Sequence, residues 1–197
     1  MNAQLVFIIS IFLATCLHNG EKSMQIDSTK NTHYWEELTD EQKSETLKDK
    51  RVFNEAILLY NKKFNPSDNE QTIQLLDTLS NLKGGNIGAL YFYLFNDICK
   101  HADGALAEIV GSYCQLVILN SPEYVINYFI DNEDLRKEYA RFLGYELYFK
   151  EEGTSDLEYN YEDFKALLTR RLSNQERFKQ VLTLFFKDID TSMKNMN

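Results

Sequence analysis

The sequence predicts an all-α fold of about eight helices, arranged as antiparallel hairpins. Helix breakers are rare, with two prolines and eight glycines in 197 residues. Apolar residues recur at the spacing of an amphipathic helix in one segment after another. Several segments also open with a Ser or Thr that is followed three residues later by Glu or Gln, which is the pattern that caps a helix N-terminus. With 44% hydrophobic residues, the chain has enough apolar surface to form a core.

Two of these caps delimit the first two helices. Thr39–Gln42 predicts the start of a helix that continues to about Phe64 and stops at Asn65–Pro66. Ser67–Glu70 predicts the start of a second helix, which ends at Gly84.

Residues 84–120 predict a buried helical hairpin, around which we expect the rest of the fold to be organised. Its helices span about Asn86–Lys100 and Asp103–Leu119, and each carries a broad apolar stripe. In the second helix, Gly104 and Gly111 lie away from the stripe, where the lack of a side chain lets another helix approach closely.

Four more helices complete the prediction. They cover about Pro122–Ile130, Asn132–Lys150, a segment capped by Asn160, and a segment capped by Ser173–Glu176. Hairpins then begin near Asn86, Ser121 and Asn160, at the spacing typical of two-helix repeats such as HEAT or tetratricopeptide units. This resemblance is one of period only, so a HEAT-like stack and an irregular helical bundle both remain open.

The net charge of −9 argues against one class of partner. An acidic surface repels a phosphate backbone, and the one basic cluster, Arg170, Arg171 and Arg177, is small. We therefore expect no nucleic-acid partner.

The N-terminus has the features of an export signal. From Leu5 to Cys16 the chain is almost wholly apolar, but this run is too short to span a bilayer, which takes about 20 residues. Its end, Leu13-Ala14-Thr15-Cys16, resembles the lipobox of bacterial lipoproteins. That resemblance implies removal of residues 1–15 and attachment of lipid to Cys16. An ordinary cleaved signal and a buried N-terminal helix are the alternatives.

The lipoprotein interpretation divides the chain into four parts. Residues 1–15 form the signal peptide, and residues 16–38 form the lipidated Cys with a polar, flexible tether. Residues 39–193 form a single helical domain, and residues 194–197 form a frayed tail. The acylated Cys16 would hold the protein at a membrane surface.

The other two cysteines, Cys99 and Cys114, are predicted to stay unpaired. If the hairpin turns near Ala102, they are offset by roughly 13 Å along its axis, at 1.5 Å per helical residue. A disulfide needs Cα atoms within about 7 Å. We therefore expect two free thiols, with Cys114 acting as a small core residue.

Catalytic and metal-binding motifs are missing from the sequence. It contains no HExxH, GxSxG or phosphate-binding loop, and its Cys and His residues suggest no nucleophile. Asp97 and His101 share a helix face, but they lack a second His, so we interpret them as an exposed helix end. We expect no catalytic residue, no metal and no cofactor.

The connection after the predicted sixth helix is the candidate for partner binding. It is acidic and tyrosine-rich, and tyrosines are enriched at protein interfaces. The alternative is that these tyrosines cap the core between neighbouring helices. The candidate residues are Tyr145, Tyr148, Glu158, Tyr159 and Tyr161.

The sequence thus leads to one hypothesis and one alternative. The hypothesis is a membrane-anchored, non-enzymatic helical module that binds another protein of the bacterial cell envelope. The alternative is an envelope enzyme or ligand binder with a groove lined by carboxylates and tyrosines. A deep pocket with convergent Asp, Glu and Tyr side chains would favour the alternative, and a shallow concave surface would favour protein binding.

Overall fold

A computed structural model describes residues 33–82, 84–153, 155 and 157–196, and it confirms the all-α class. Among these residues, a short 3-10 helix at Trp35–Glu37 precedes nine α-helices, and no strand occurs. The α-helices are α1 (Asp40–Lys48), α2 (Asn54–Tyr60), α3 (Glu70–Ser80), α4 (Asn86–His101), α5 (Gly104–Asn120), α6 (Pro122–Asp131), α7 (Glu133–Glu151), α8 (Tyr161–Leu172) and α9 (Arg177–Lys194).

Alternate helices lie side by side. The helices α3, α5, α7 and α9 form one layer in which each contacts the next, and α4, α6 and α8 pack against this layer. The helix α7 has the most extensive packing, with α9 on one side and α5 on the other. Because Arg136 meets Asp188 and Arg141 meets Ser192, α7 and α9 run in the same direction.

The predicted close hairpin of α4 and α5 is wrong, although the bounds of both helices are close to those predicted. The two helices make few close backbone contacts with each other. Instead, α5 lies between α3 and α7, while α4 is covered by the 3-10 helix, α1, α2, α3 and α7. Both helices are apolar on most sides, so each needs several neighbours to cover it.

The predicted first helix is broken in two at residues 49–53. The helix α1 ends because the Asp49 carboxylate accepts a hydrogen bond from the Arg51 backbone N–H at 2.9 Å. Val52 is buried, and the Phe53 N–H donates to the Tyr91 hydroxyl at 3.0 Å before α2 begins. The break therefore exchanges helical hydrogen bonds for contacts with α4.

Two of the predicted caps are confirmed. Thr39 and Gln42 form a reciprocal capping box at the start of α1. The Asn160 side chain accepts a hydrogen bond from the Asp163 N–H at the start of α8, at 2.9 Å.

Two other predicted caps are wrong. Asn69, not Ser67, caps α3, because its side chain accepts from the Thr72 N–H at 2.9 Å. Ser173 does not cap α9, since it follows the end of α8 and its hydroxyl donates to the Arg170 carbonyl oxygen at 3.0 Å, while α9 begins only at Arg177. In both places the serine of the Ser-x-x-Glu pattern lies too far before the helix to cap it.

Glycines allow the closest helix contacts in the layer. Gly111 of α5 lies against α7, as predicted, and a Cβ there would be 3.0 Å from the Phe142 carbonyl oxygen. The same prediction for Gly104 is wrong, since a Cβ added there would have no atom of another helix within 4 Å. The φ of +47° shows that this glycine is needed for the backbone turn at the start of α5. Gly144 of α7, which the sequence did not single out, is pressed against Ser192 of α9.

We predict that Gly144→Ala destabilises the protein. A Cβ would overlap the Ser192 Cβ, which is fixed to the backbone of α9 and cannot rotate away. Overpacking of this kind costs about 1–3 kcal/mol, against a gain of about 1 kcal/mol in helix propensity. Urea unfolding measures the difference, and Gly84→Ala is the control because a Cβ added there would have no neighbouring side chain or helix within 4 Å. Equal stability of the two variants would show that α7 and α9 separate easily.

The domain begins before the predicted boundary at residue 39. Trp35 is 3% exposed, and its ring contacts those of Tyr60 and Tyr93. Leu38 is also buried. The prediction that the tether extends to residue 38 is therefore wrong for its last residues, because a Trp and a Leu gain more from burial than from exposure.

Side chains of α6 hold the start of this segment. The Tyr34 hydroxyl donates to the Tyr124 carbonyl oxygen at 3.1 Å and accepts from the Asn127 side chain at 2.9 Å. In return, the Tyr124 hydroxyl donates to the His33 carbonyl oxygen at 3.2 Å. The Tyr34 ring also contacts the rings of Tyr124 and Tyr128. We call residues 33–38, held in this way, the N-terminal clamp.

We predict that Trp35→Ala lowers the free energy of unfolding by about 3 kcal/mol, because removing a buried large aromatic ring leaves a cavity. Urea unfolding of the full chain measures this loss. The control is His33→Ala, which changes a side chain that is 59% exposed and is expected to shift stability by less than about 0.5 kcal/mol. If Trp35→Ala left the free energy of unfolding unchanged, residues 33–38 would belong to the tether and not to the domain.

Candidate functional site

The predicted partner-binding residues do not form one surface. Tyr161 is a core residue, 7% exposed, whose hydroxyl donates to the Phe186 carbonyl oxygen at 3.2 Å. Burial, and next the Asp190 carboxylate near its hydroxyl, raise the pKa of Tyr161. Its ring is thus enclosed between α8 and α9, and it is not available to a partner.

Tyr159 and Glu158 lie beside α5. The buried Gln115 side chain donates to the Tyr159 carbonyl oxygen at 3.2 Å and accepts from the Tyr159 N–H at 3.4 Å. This amide therefore fixes the loop, and the Tyr159 ring packs on the core while Glu158 is exposed. Gln115 was missed because a single polar residue on an apolar helix has no distinctive sequence pattern.

Tyr145 and Tyr148 remain together on the outer part of α7. Both rings contact Phe149, at centroid distances of 4.8 and 5.5 Å, and all three side chains are half-buried. These three residues, which we call the α7 aromatic patch, are the part of the prediction that is still placed to meet another molecule.

A wide groove lies elsewhere, beside the break between α1 and α2. It has a volume of about 1040 Å³. Its walls are the connection between α1 and α2, the end of α3 and the start of α4. Most of its lining residues are exposed or half-buried, and only Thr46, Val52 and Tyr91 are buried. The groove is therefore wide and open to solvent.

Two of the three acidic residues that line the groove, Asp49 and Asp77, already have partners. The Arg51 guanidinium bonds both carboxylate oxygens of Asp49, with its closest nitrogen at 2.6 Å. These hydrogen bonds lower the pKa of the Asp49 carboxyl to about 2. Asp77 accepts a hydrogen bond from the Tyr113 hydroxyl at 2.6 Å. Burial first, and then the Asp77 carboxylate, raises the pKa of Tyr113. Such ionised, hydrogen-bonded carboxylates suit recognition better than proton transfer.

The opposite charge is also present in the groove. Lys50 is exposed on its wall, and α4 begins there at Gly85 without a side-chain cap. The first N–H groups of a helix carry a partial positive charge. The groove therefore offers carboxylates and positive groups within one mixed polar and apolar surface, as protein-binding surfaces commonly do.

Asp97 and His101 form the helix end that the sequence indicated. The His101 Nδ1 lies 2.7 Å from the Asp97 carbonyl oxygen. The Asp97 carboxylate pairs with Lys62 at 2.8 Å. Lys62 lies just after α2, where its backbone is left-handed with φ of 56°. Because Asp97 belongs to α4, this ion pair joins the end of α2 to α4. Within the described part of the chain, no group of three or more His, Cys, Asp or Glu residues is arranged to hold a metal ion.

Cys99 and Cys114 are both free and buried, as predicted. The prediction rested on an offset of roughly 13 Å between them along the hairpin. That offset assumed a close antiparallel hairpin, which α4 and α5 do not form. Burial, and next the neighbouring Cys99 thiol, raise the pKa of Cys114.

The signal and lipid-attachment predictions, Cys16 included, lie outside the described residues. Among those that are described, no helix is long and apolar enough to cross a membrane. Comparison of the chain with known protein families, with characterised proteins and with solved structures finds no match.

We predict that Arg51→Ala raises the pKa of the Asp49 carboxyl from about 2 part of the way toward its usual value of about 3.9, because the guanidinium is lost while the backbone N–H of residue 51 still donates to the carboxylate. A lowered pKa means that Asp49 stabilises the fold above about pH 4 and loses this contribution as the pH falls toward 2. The variant should therefore show a weaker dependence of stability on pH in that window. NMR titration of the side chain measures the pKa, and Lys50→Ala is the control. An unchanged pKa would rule out the bidentate pair in solution.

Proposed function

We propose that this protein is a membrane-anchored, non-enzymatic helical module that binds another protein of the bacterial cell envelope. The observation that carries the proposal is the wide groove beside α1, α3 and α4. Its volume of about 1040 Å³ is at the top of the range for small-ligand pockets, about 300–1,000 Å³. Yet its walls are largely exposed, so it would leave a small ligand uncovered. A segment of another protein fits such a groove better.

The state of the groove acids supports binding over catalysis. Asp49 is held by Arg51, and Asp77 accepts from Tyr113. A general acid needs a carboxyl whose pKa is raised toward the working pH, whereas the pKa of Asp49 is lowered. Fixed carboxylates beside Lys50 give orientation and specificity to a partner of complementary charge.

The N-terminal clamp supports a role near a membrane. It packs on the same helix that forms one wall of the groove, since Tyr91 lines the groove and the next two residues contact the clamp. With the clamp counted as part of the domain, the proposed tether from Cys16 shortens to residues 17–32. A flexible chain of that length spans roughly 22 Å on average. The groove would therefore work close to the surface that holds the lipid.

Site-specific photo-crosslinking in a bacterium that processes lipoproteins tests the proposal. A photo-crosslinking amino acid replaces Asn81 in the groove, Tyr148 in the α7 aromatic patch, or Gln180 on α9 as the control. We expect one discrete protein adduct from position 81 and none from position 180. An adduct from position 148 alone would move the interface to the α7 aromatic patch. No adduct at either site would contradict protein binding.

The anchor is tested in the same cells. Cys16→Ala should move the protein from the membrane fraction to the soluble fraction, because acyl chains contribute about 0.8 kcal/mol per buried CH₂. The position 81 adduct should then weaken, since the protein is no longer concentrated beside its partner. A Cys16→Ala protein that stays in the membrane fraction would exclude lipid anchoring at this residue.

A further inference from the structure

The short helix α2 lies between the N-terminal clamp and the groove. Its last residue, Tyr60, faces the clamp, and the Trp35 ring lies edge-on against it at a centroid distance of 5.7 Å. Its first residue, Asn54, lines the groove together with Phe53, which precedes the helix. One helix of seven residues therefore connects the two features.

The helix α2 depends on the contacts at its ends. Only Ala56 and Leu59 of its seven residues are buried, and it packs mainly on α3 and α4. A helix shorter than about 12 residues is marginal by itself in water, because nucleation is costly. At the groove end, the Phe53 N–H donates to the Tyr91 hydroxyl at 3.0 Å. Loss of support at either end should therefore loosen the whole helix.

The clamp supports the other end of α2. The rings of Trp35, Tyr60 and Tyr93 pack against one another, and Trp35 is almost fully buried there. A second link at this end is the ion pair between Lys62 and Asp97, but the Lys62 side chain is 70% exposed. Exposed ion pairs contribute little to stability. The seated Trp35 is therefore the stronger support.

We propose that the N-terminal clamp regulates the groove through α2. With the clamp seated, α2 is held, and residues 52–54 form their part of the groove wall. When the clamp leaves, α2 loosens, the bond between Phe53 and Tyr91 opens more often, and this wall is lost. Partner binding at the groove would in turn favour the seated clamp, because coupling between two sites is reciprocal. The effect on partner binding rests on the proposed function, whereas the coupling within the chain does not.

Hydrogen exchange of the full chain, followed by NMR at single amides, tests the coupling. Tyr34→Ala is the main variant, since Tyr34 packs on α4 and α6 whereas Trp35 reaches α2. This change removes two hydrogen bonds and the ring contacts that seat the clamp. We expect the Phe53 amide to exchange at least about fivefold faster in the variant, because local opening becomes easier. Trp35→Ala should accelerate this amide at least as much.

Two controls separate the coupling from a general loss of stability. Gly144→Ala loosens α7 against α9, which do not line the groove, and should leave the Phe53 exchange rate within about twofold. His33→Ala changes an exposed side chain of the clamp and should also leave this rate unchanged. The proposal is overturned if Tyr34→Ala does not accelerate the Phe53 amide, since its opening is then independent of the clamp. It is also overturned if Gly144→Ala accelerates this amide as much, since Phe53 then opens only with the whole protein.

The photo-crosslinking assay separates this inference from the proposed function. Per amount of protein, the position 81 adduct should fall at least about threefold in Tyr34→Ala and should be unchanged in Gly144→Ala. If the chain with its native clamp gives no adduct, protein binding at the groove is contradicted, and the exchange rates still decide the coupling. An equal adduct yield in Tyr34→Ala, despite faster exchange, would overturn the regulation of partner binding.

Discussion

The structure depends on α4 being apolar on nearly every side. Ten of its sixteen residues are buried, so no single neighbour covers it. The 3-10 helix, α1, α2, α3 and α7 all pack against it. Because apolar burial is the dominant favourable term in folding, this helix draws in segments that look polar in sequence. The packing of the N-terminal clamp and the break between α1 and α2 both cover apolar surface of α4.

Sequence patterns located most of the helices, but they missed the break between α1 and α2 and did not indicate which helices pack together. The bounds of α4, α5 and α7 follow from apolar spacing, and the Thr39 and Asn160 caps follow from local hydrogen bonding. Which helices pack together depends on long-range choices that a 3.6-residue period does not contain. The argument for free cysteines shares this limit, since it converted sequence separation into distance through a hairpin that does not form.

The candidate site shows the same limit. Tyr161 and Tyr159 matched the composition of an interface, but a tyrosine fits a core equally well when its hydroxyl finds a carbonyl oxygen. The groove was not predicted because its walls come from two separate parts of the chain, the connection between α1 and α2 and the turn between α3 and α4. Asp49 carried a local signal for it, since an Asp side chain that bonds a nearby backbone N–H competes with the helix.

The N-terminal clamp also determines how the protein responds to mechanical load. Among the described residues, the clamp is held to α6 by side-chain hydrogen bonds and ring contacts, with no backbone-to-backbone bond. A pull on the N-terminus therefore peels the segment away one residue at a time and leaves the helical layers intact. Residues 33–38 extend to roughly 20 Å when freed. The burial of Trp35 would set the force required for this release.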